Sequence, residues 1–287
     1  MRFPGGKGAS YQRIINEMPP HQVYIETHLG GGNVLERKRA AARSIGIDAD
    51  PLVIDSWRER PGWAQRVEVV QADAVTWLQS MPRDIFRGAL VYCDPPYLRT
   101  TRRDARPLYR YEYTEAQHVQ LLEALLALPC YVMVSGYPSP LYDEALIEWR
   151  RIEYTTQTRS GPAREVLWLN FVQTPALHDY SYLGEDYRER ERIRKKQARW
   201  ERNFSAMTAQ ERAALINILT DQGTPTPPPP AGLVRRIGPH VQIECLPCPS
   251  CAGGEALNTA NPDDIGRCKT CGGSGRTVTI HERRSKR

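Results

Sequence analysis

The sequence predicts an α/β protein with a mostly parallel sheet and helices on both faces, and two observations carry this prediction. Short apolar runs alternate with amphipathic segments over residues 1 to about 175, the pattern of repeated strand–helix units. Several of these runs end in glycine or aspartate, residues common where a parallel sheet meets a ligand. The expected strands are Val23–Glu26, Ile45–Asp48, Val67–Gln71, Ala89–Cys93, Tyr131–Ser135, Trp149–Tyr154 and Val166–Val172.

Local signals support two further details of this sheet. Thr114-Glu115-Ala116-Gln117 has the form of a capping box, which predicts a helix from there through about Ala127. The last two expected strands follow each other without room for a helix. This spacing favours an antiparallel addition to the sheet.

Beyond the predicted sheet domain, residues 1–178, the composition changes three times. Residues 179–222 are highly charged and helical in pattern, and residues 223–232, GTPTPPPPAG, form a stiff linker. Residues 233–281 are rich in cysteine, and residues 282–287 are a basic tail. The charged stretch Arg188 to Arg202 has two interpretations, a solvated helix or a helix that lies against DNA.

The overall charge favours an anionic partner. The 287 residues carry 39 Lys and Arg against 33 Asp and Glu, a net charge of +6, and nucleic acid is the commonest partner of basic proteins. We expect no membrane span, because no run of about 18 apolar residues occurs. The N-terminal MRFPGGKG lacks the apolar segment of a signal peptide, so we expect a cytoplasmic protein of a bacterium or phage-infected cell.

The first site-forming motif is a glycine turn. In YIETHLGGGNVLERK the first strand enters Gly30-Gly31-Gly32 and a helix follows, so backbone amides can approach a ligand closely. The spacing is not that of a dinucleotide-binding fingerprint, whose third glycine would fall at Leu35. A phosphate-binding loop would need Gly-Lys followed by Ser or Thr, and neither GGKG nor GGGN contains that sequence. A tight turn without ligand is the plain alternative.

The next three strands each deliver an acid to the same rim. Asp48 or Asp50 follows the second strand, Asp73 follows the third, and Asp94-Pro95-Pro96-Tyr97 follows the fourth. Carboxyl ends of parallel strands share one edge of the sheet, where ligands of open α/β sheets bind. A single such acid could be a helix cap, but the repeated pattern predicts a site.

The order of these motifs resembles the Dam-type adenine-N6 DNA methyltransferases, including phage members, over roughly residues 3 to 172. RFPGGKG is similar to their N-terminal cofactor motif, and REVLWLNF, residues 164–171, to a closing strand of the phage enzymes. The resemblance implies a Rossmann-like methyltransferase sheet that binds S-adenosylmethionine. It implies that Lys7 lies near the methionine end of the cofactor. The cofactor-binding residues that it implies are Gly5, Gly6, Lys7, Glu26, Gly30 and Gly32, with Asp48 or Asp50 at the ribose and Asp73 near the adenine.

Asp94-Pro95-Pro96-Tyr97 would carry the chemistry. An exocyclic amine of a base is a poor nucleophile because its lone pair is delocalised into the ring. The Asp94 carboxylate and the Pro95 carbonyl can accept its two N–H bonds, Pro96 fixes the turn, and Tyr97 offers a ring for stacking. The amine cannot be reached inside a duplex, so the nucleotide must be flipped out.

The loop after this motif interleaves arginines with tyrosines. Arginines suit phosphates and guanine edges, and tyrosines suit unstacked bases, which predicts a nucleic-acid contact; a solvated loop is the alternative. The residues expected to contact DNA are Arg99, Arg102, Arg103, Arg106, Tyr109 and Arg110.

One spacing departs from the Dam-type pattern. Only about twenty residues separate Asp73 from Asp94, where Dam-type enzymes carry a target-recognition segment. Target recognition is therefore expected from the arginine loop, the helical extension or the cysteine-rich module. Methylation of RNA or of another amino group, and a catalytically silent DNA-binding adaptor, are the alternatives.

The C-terminal cysteines predict a structural zinc site. Cys248-x-x-Cys251 and Cys268-x-x-Cys271 are separated by sixteen residues, and the pattern resembles half of a DnaJ-type zinc region or a zinc ribbon. Cys245 leaves the register open, since it also pairs with Cys248. Cys93 and Cys130 lie in apolar runs and are expected to be core thiols.

Two histidines receive separate expectations. His28, inside the glycine motif, is expected to shape the cofactor site rather than to act as an acid or base. His118, in the first turn of the capped helix, is expected on the helix surface.

Overall fold

The computed structural model describes residues 6–8, 10–102, 109–158, 161–174 and 176–221, together with the strands at 233–236, 241–247 and 276–282. The chain divides into two compact units. One is built round a seven-stranded sheet and the other contains a three-stranded sheet.

The large sheet has the strand order β3-β2-β1-β4-β5-β7-β6. The pairs that join β3 to β2, β2 to β1, β1 to β4 and β4 to β5 are all parallel, and β7 joins β5 antiparallel. Both predictions, the parallel α/β sheet and the antiparallel addition, are confirmed. The strands are β1 Val23–Glu26, β2 Arg43–Asp48, β3 Glu68–Gln71, β4 Ala89–Cys93, β5 Tyr131–Gly136, β6 Arg150–Thr158 and β7 Gly161–Leu169.

The position of the site follows from this order. From β1 the chain moves outward through β2 to β3 and then returns to the other side of β1 as β4. The strand order therefore reverses between β1 and β4, and a crevice opens at the carboxyl ends of these two strands. The glycine turn follows β1 and Asp94 follows β4, so both motifs flank that crevice.

The helices of the main unit join and cover these strands. The longest of the helices that connect the strands, α5, begins with the predicted capping box. The Gln117 amide donates to the Thr114 hydroxyl, and the Gln117 side chain accepts from the Thr114 amide. The helices are α1 Tyr11–Ile15, α2 Asn33–Arg37, α3 Pro51–Arg58, α4 Ala74–Ser80, α5 Glu115–Leu126 and α6 Pro140–Ala145, with short 3₁₀ turns at Arg83–Phe86 and Arg99–Thr101.

The core lies between these helices and the central strands. Every residue of β4 is buried, as are Tyr24 and Ile25 of β1. Cys93 and Cys130 are both buried, so their prediction as core thiols is confirmed. Burial raises the pKa of the Cys93 thiol to about 12, which makes it unreactive.

Two long helices, α7 Tyr187–Ala206 and α8 Ala209–Asp221, form the extension. The segment before α7 is held to the sheet-bearing part of the chain by two hydrogen bonds. The His178 amide donates to the Met18 carbonyl at 2.9 Å, and the Arg39 amide donates to the Asp179 side-chain carboxylate at 2.8 Å. Within α7 no residue is buried. None of the helices in the part of the chain that the structure describes is long and apolar enough to cross a membrane.

The second unit contains β8 Leu233–Arg236, β9 Val241–Pro247 and β10 Arg276–Glu282, in the antiparallel order β10-β9-β8. Pro247, the last residue of β9, pairs with Arg276, the first residue of β10. Cys245 lies within β9. The predicted zinc ligands Cys248, Cys251, Cys268 and Cys271 fall outside the described residues, and their assignment stays a prediction.

Candidate active site

Hydrogen bonds from a tryptophan and to an aspartate fix the conformation of the glycine turn. Gly30 and Gly32 have positive φ angles of 44° and 58°. The Trp57 indole donates to the Gly30 carbonyl at 2.9 Å, and the Gly30 amide donates to Asp48 Oδ2, also at 2.9 Å. A Cβ atom on Gly32 would lie 2.1 Å from the Trp57 ring, so only glycine fits there.

Asp48 and Asp50, offered as alternatives from the sequence, have different surroundings. Asp48 accepts the Gly30 amide with one oxygen and the Asp50 amide with the other, at 2.9 Å each, and so shapes the turn. Burial raises the pKa of the Asp48 carboxyl above its ordinary value, although the backbone donors oppose this shift. Asp50 caps α3 by accepting the Leu52 amide, and its carboxylate lies 3.6 Å from the Arg110 guanidinium. Both residues line a cleft between β1 and β4.

A cleft with an internal volume of about 310 Å³ occupies the crevice between β1 and β4. The glycine turn forms one wall. Residues of the segment after Asp94-Pro95-Pro96-Tyr97 form another, namely Tyr109, Arg110, Tyr111 and Tyr113. Gly6, Lys7, Asp94 and Pro96 also line the cleft. The N-terminal motif, the glycine turn and the strand-β4 motif therefore share one cavity, as the sequence predicts.

Asp94 lies at the centre of a dense hydrogen-bond network. The Lys7 ammonium lies 2.6 Å from each of its carboxylate oxygens, and the Ser135 hydroxyl donates to Oδ1 at 2.8 Å. Ser135 in turn contacts the Tyr92 hydroxyl at 2.9 Å. The carboxylate is thereby fixed in orientation by residues of β4 and β5.

Lys7 is almost fully buried, with 6% of its side chain exposed. Burial lowers the pKa of its ammonium, but the charges of Asp94 and Glu165 and the hydrogen bond to Asp94 outweigh burial and leave the pKa above its ordinary value. Lys7 is therefore a fixed cation at neutral pH and cannot serve as a base here.

A second buried carboxylate lies in the same network. Glu165 of β7 has 6% exposure and accepts the Tyr154 hydroxyl at 3.1 Å. The Tyr97 hydroxyl oxygen accepts from Lys7 at 2.8 Å and belongs to the same network. Burial and the charge of Asp94 raise the pKa of Glu165, while Lys7 and the two tyrosines oppose the shift.

Glu26, at the end of β1, is a third buried carboxyl group. Burial raises its pKa to about 8, with a contribution from the charge of Asp94, although the Tyr24 hydroxyl that donates to Glu26 at 2.9 Å opposes the shift. Glu26 is therefore largely protonated at neutral pH. It lines the cleft beneath the glycine turn.

Asp73 is used differently from Asp48. Its carboxylate caps α4 by accepting the Thr76 amide at 2.9 Å, and it accepts the Tyr113 hydroxyl at 3.2 Å. Tyr113 and the next residue of α4, Ala74, line the cleft. Asp73 thus positions a wall of the cleft, and its role near an adenine stays a prediction.

The two histidines lie close to this wall. His28 lines the cleft, as predicted, and its Nε2 atom lies 3.3 Å from the Tyr113 hydroxyl. Burial holds the pKa of His28 at about 3, so the ring is neutral. The expectation for His118 is wrong: its side chain is fully buried, and Nδ1 lies 2.8 Å from the Tyr142 hydroxyl, because α5 turns this face towards α6.

The arginine loop divides into anchored and exposed residues. The side chain of Arg102 is 4% exposed and lies 2.7 Å from Glu112, so in this structure it fixes the loop rather than facing solvent. Arg99 and Arg110 are 50% and 58% exposed. Tyr109 is half-buried and lines the cleft, and desolvation raises the pKa of its hydroxyl to about 12. Gly5, Arg103 and Arg106 lie outside the described residues, and the nucleic-acid assignments stay predictions.

Sequence reasoning missed the partners of Asp94. Ser135 ends a strand beside β4, so a polar residue at that position was a usable signal. Glu165 gave a weaker one: a carboxylate at the start of a buried apolar run. Within the part of the chain that the structure describes, His, Cys, Asp and Glu form no cluster suited to a metal ion.

Comparison with known proteins adds similarities of fold. No family model and no curated protein matches the sequence. Among solved structures, the N-methyltransferase NodS from Bradyrhizobium japonicum WM9 is 11% identical, with 55% of this chain and 91% of that chain covered and a TM-score of 0.40. An rRNA methylase from Streptococcus thermophilus is 10% identical, covering 55% and 92%, with a TM-score of 0.37. The 23S rRNA methyltransferase ErmE is 13% identical, covering 68% and 76%, with a TM-score of 0.38.

The strand order defines the fold of the main unit. The central strands are parallel, with a switch point between β1 and β4, and β7 lies antiparallel to β5, between β5 and β6. This strand order is that of the Rossmann-like sheet of the S-adenosylmethionine-dependent methyltransferases. The predicted fold class is confirmed for this unit. The predicted zinc module is not among the confirmed parts.

Proposed function

We propose that this protein transfers a methyl group from S-adenosylmethionine to the exocyclic amino group of adenine in DNA. The observation that carries the proposal is the position of Asp94-Pro95-Pro96-Tyr97. The motif ends β4 at the switch point, and Asp94 and Pro96 line the same cleft as the glycine turn.

The residues of the cleft fit S-adenosylmethionine. Its volume of about 310 Å³ is within the range of sites for drug-sized ligands. The glycine turn exposes its backbone to the cleft. It has no side chain at Gly32, where a Cβ atom would collide with Trp57. Asp50 lines the cleft and would accept hydrogen bonds from the ribose hydroxyls. The bound cofactor would supply an electrophilic methyl group on a sulfonium.

The chain's own residues would prepare the amine. The Asp94 carboxylate and the Pro95 carbonyl accept its two N–H bonds, which directs the nitrogen lone pair out of conjugation with the ring. Pro96 restricts the turn, and Tyr97 contacts Tyr137 edge to face with ring centroids 4.5 Å apart. Such orientation can lower a barrier by up to about 7–11 kcal/mol.

The proposed partner is DNA, and the surface of α7 supports a nucleic-acid partner. Five basic residues recur at helical spacing on one exposed face, a stripe of about 21 Å along the axis. The members of this basic stripe are Arg188, Arg192, Lys195, Arg199 and Arg202. Only Arg192 is in an ion pair within the described residues, with Glu189 at 3.0 Å. Such a stripe is suited to neutralise phosphates.

One observation favours a second candidate, transfer to RNA or to another amino group. Between the end of α4 at Ser80 and the start of β4 at Ala89 the structure has only a short 3₁₀ turn, Arg83–Phe86. A separate target-recognition segment is therefore missing at the place where Dam-type enzymes carry it. The zinc ion expected at Cys248, Cys251, Cys268 and Cys271 would stabilise the second unit in either case.

The test is incubation of the full chain with labelled S-adenosylmethionine and either unmethylated plasmid or total RNA, followed by nucleoside mass spectrometry. We expect N6-methyl-2′-deoxyadenosine from DNA, and we expect Asp94→Ala to lower the rate by about 10²- to 10⁴-fold while cofactor affinity stays within about threefold. Product from RNA alone would support the second candidate. Cofactor binding without transfer to either would point to an acceptor with another amino group, and no cofactor binding at all would point to a silent adaptor.

A further inference from the structure

One buried arginine joins the end of the reactive motif, Asp94-Pro95-Pro96-Tyr97, to a wall of the cleft. The Arg102 guanidinium donates to the two oxygens of Glu112 at 2.8 and 2.7 Å, and it also donates to the Tyr97 carbonyl. Both side chains are nearly enclosed, with 4% of Arg102 and 11% of Glu112 exposed. A two-point, charge-assisted pair in such surroundings fixes its partners more firmly than a surface ion pair does.

Glu112 organises the cleft wall that Tyr109, Arg110, Tyr111 and Tyr113 form. Its Oε1 atom accepts the Tyr109 amide at 3.0 Å, and the Arg102 guanidinium lies over the Tyr109 ring, 5.2 Å from the centroid. Among the described residues that line the cleft, neither Arg102 nor Glu112 occurs. The pair therefore supports the wall from behind and leaves the space for the cofactor free.

The same guanidinium holds the backbone of the reactive motif. Tyr97 is the last residue of the motif, and its carbonyl accepts from Arg102. Asp94 and Pro96 of the motif line the cleft together with the wall. Because one guanidinium binds both segments, a displacement of the wall would shift the backbone at Tyr97, and a fixed wall would hold it in place.

We propose that Arg102 is a positioning residue for methyl transfer, and that with Glu112 it couples the occupied cofactor cleft to the geometry of the reactive motif. A cofactor that packs against the wall fixes it, and the ion pair transmits this order to the Tyr97 backbone. Arg102 contacts neither the cofactor nor the amine. This role takes the place of the DNA contact expected for Arg102 from the sequence. The inference rests on the proposed function, since it takes the cleft as the cofactor site.

The first test measures cofactor affinity and needs no turnover. We expect Arg102→Gln and Glu112→Gln each to weaken S-adenosylmethionine binding by about five- to twentyfold in calorimetric titration, because each leaves a buried charge unpaired behind the wall. The double variant should bind no more weakly than the weaker single variant, since both substitutions break one interaction. Losses that multiply in the double variant, or no loss in Glu112→Gln, would overturn the inference. If a Gln variant does not fold, Arg102→Lys and Glu112→Asp replace the pair in the cycle.

The matched control is the pair of Arg43 on β2 and Glu68 on β3. It has the same two-point geometry, at 2.7 and 2.9 Å, but its side chains are 47% and 53% exposed. Arg43→Gln and Glu68→Gln should leave the cofactor Kd within about twofold.

A phosphate contact by Arg102 predicts a different pattern. Cofactor affinity would then stay unchanged in both variants of the pair. Arg102→Gln would instead lower, by about 0.9 in magnitude, the slope of the logarithm of the DNA association constant against the logarithm of the salt concentration. This pattern would overturn the inference.

The second test separates coupling from simple support of the wall. Arg102→Lys keeps the charge but offers Glu112 and Tyr97 one nitrogen instead of a planar fork. With cofactor and DNA saturating, we expect kcat to fall by about tenfold or more in this variant, while Arg43→Lys keeps the wild-type rate. A raised KM for the cofactor with wild-type kcat would mean support of the wall alone and would overturn the coupling. If the wild type transfers no methyl group, the proposed function fails, and the binding cycle still decides whether the pair supports the cleft.

Discussion

The Lys7 ammonium and the Asp94 carboxylate form a buried two-oxygen ion pair, with 2.6 Å from Nζ to each oxygen. The two residues are 87 positions apart in sequence, and the pair joins the N-terminal segment to the end of β4. Breaking one half of such a pair leaves an uncompensated buried charge and costs about 3–5 kcal/mol. Substitutions at either residue should therefore be judged by stability as well as by activity.

Gly32 should be irreplaceable for two separable reasons. Gly32→Ala places a Cβ atom 2.1 Å from the Trp57 ring and also forces an L residue into φ +58°. We expect destabilisation of about 2–4 kcal/mol from overlap and backbone strain, with at least about tenfold weaker cofactor binding. Thermal unfolding and calorimetric titration with S-adenosylmethionine measure both effects.

Gly62→Ala is the matched control for Gly32→Ala. Gly62 also has a positive φ of 77°, but a Cβ atom there meets nothing within 4 Å. It should show only the strain, about 1–2 kcal/mol, with unchanged cofactor affinity. Similar losses of affinity in the two variants would mean that the glycine turn does not form the cofactor site.

The basic stripe of α7 should determine part of the salt dependence of DNA binding. Lys195→Gln with Arg199→Gln removes two exposed cations from the stripe. The slope of the logarithm of the DNA association constant against the logarithm of the salt concentration should therefore fall in magnitude by about 1.8. Fluorescence anisotropy with a labelled duplex at several salt concentrations measures the slope.

Arg83→Gln with Arg87→Gln removes the same charge from residues just before β4, at the amino end of that strand. Both residues are exposed, and both lie at the end of the strand away from the cleft. This double variant should leave the slope within about 0.5 of wild type. Equal changes in the two variants would show that net charge, and not the stripe, controls binding.

Glu26 should make the protein less stable as pH rises. Its folded pKa is raised to about 8 from an ordinary 4.5, so the folded state holds this proton more tightly than the unfolded state. The resulting stability is fully present below pH 4.5 and is lost as pH rises through about 8. His28 and His118 have lowered pKa values and act in the opposite sense, but only below about pH 6.5.

The clearest window for Glu26 is therefore pH 6.5 to 8. There we expect the free energy of unfolding of the wild type to fall relative to that of Glu26→Gln, measured by urea denaturation at each pH. Parallel pH profiles of the two proteins would contradict the assignment of a protonated Glu26.

The cysteine pairs should bind metal. Cys248→Ser or Cys268→Ser should release about one zinc ion per chain, measured by elemental mass spectrometry on the purified protein. Cys130→Ala, in the main unit, should leave the metal content unchanged. Full zinc occupancy in the first two variants would refute this ligand set.

The strands and the shared rim could be predicted because both depend on local patterns. Alternating apolar runs with Gly30 and Asp94 at their ends identify parallel strands and one common edge, and the capping box at Thr114 identifies a helix start. The edge strands were less predictable. Strand β6 runs on to Thr158, past its predicted end at Tyr154, and β7 begins at Gly161, before its predicted start at Val166, because backbone pairing with a neighbouring strand continues into polar residues. The predicted end of β7 at Val172 is wrong, since the strand ends at Leu169.

The environment of individual side chains could not be read from spacing. His118 has a helix-surface position by sequence, but the packing of α5 against α6 encloses it. Arg102 belongs to a run of similar arginines, yet it is 4% exposed and 2.7 Å from Glu112, whereas Arg99 is 50% exposed and 4.0 Å from the same carboxylate. Burial and pairing depend on residues distant in sequence, which a single-sequence pattern does not contain.

The sequence by itself determined the α/β class, the carboxyl-edge rim and the residues Asp94 to Tyr97, because strand periodicity and strand-end residues are local properties of the chain. Only the tertiary structure decided that Lys7 occupies both oxygens of Asp94 and that Ser135 donates to one of them. These residues come from the N-terminal segment, the end of β4 and β5. Asp94 and Ser135 meet because the strand order places β5 beside β4, which is a property of the folded sheet.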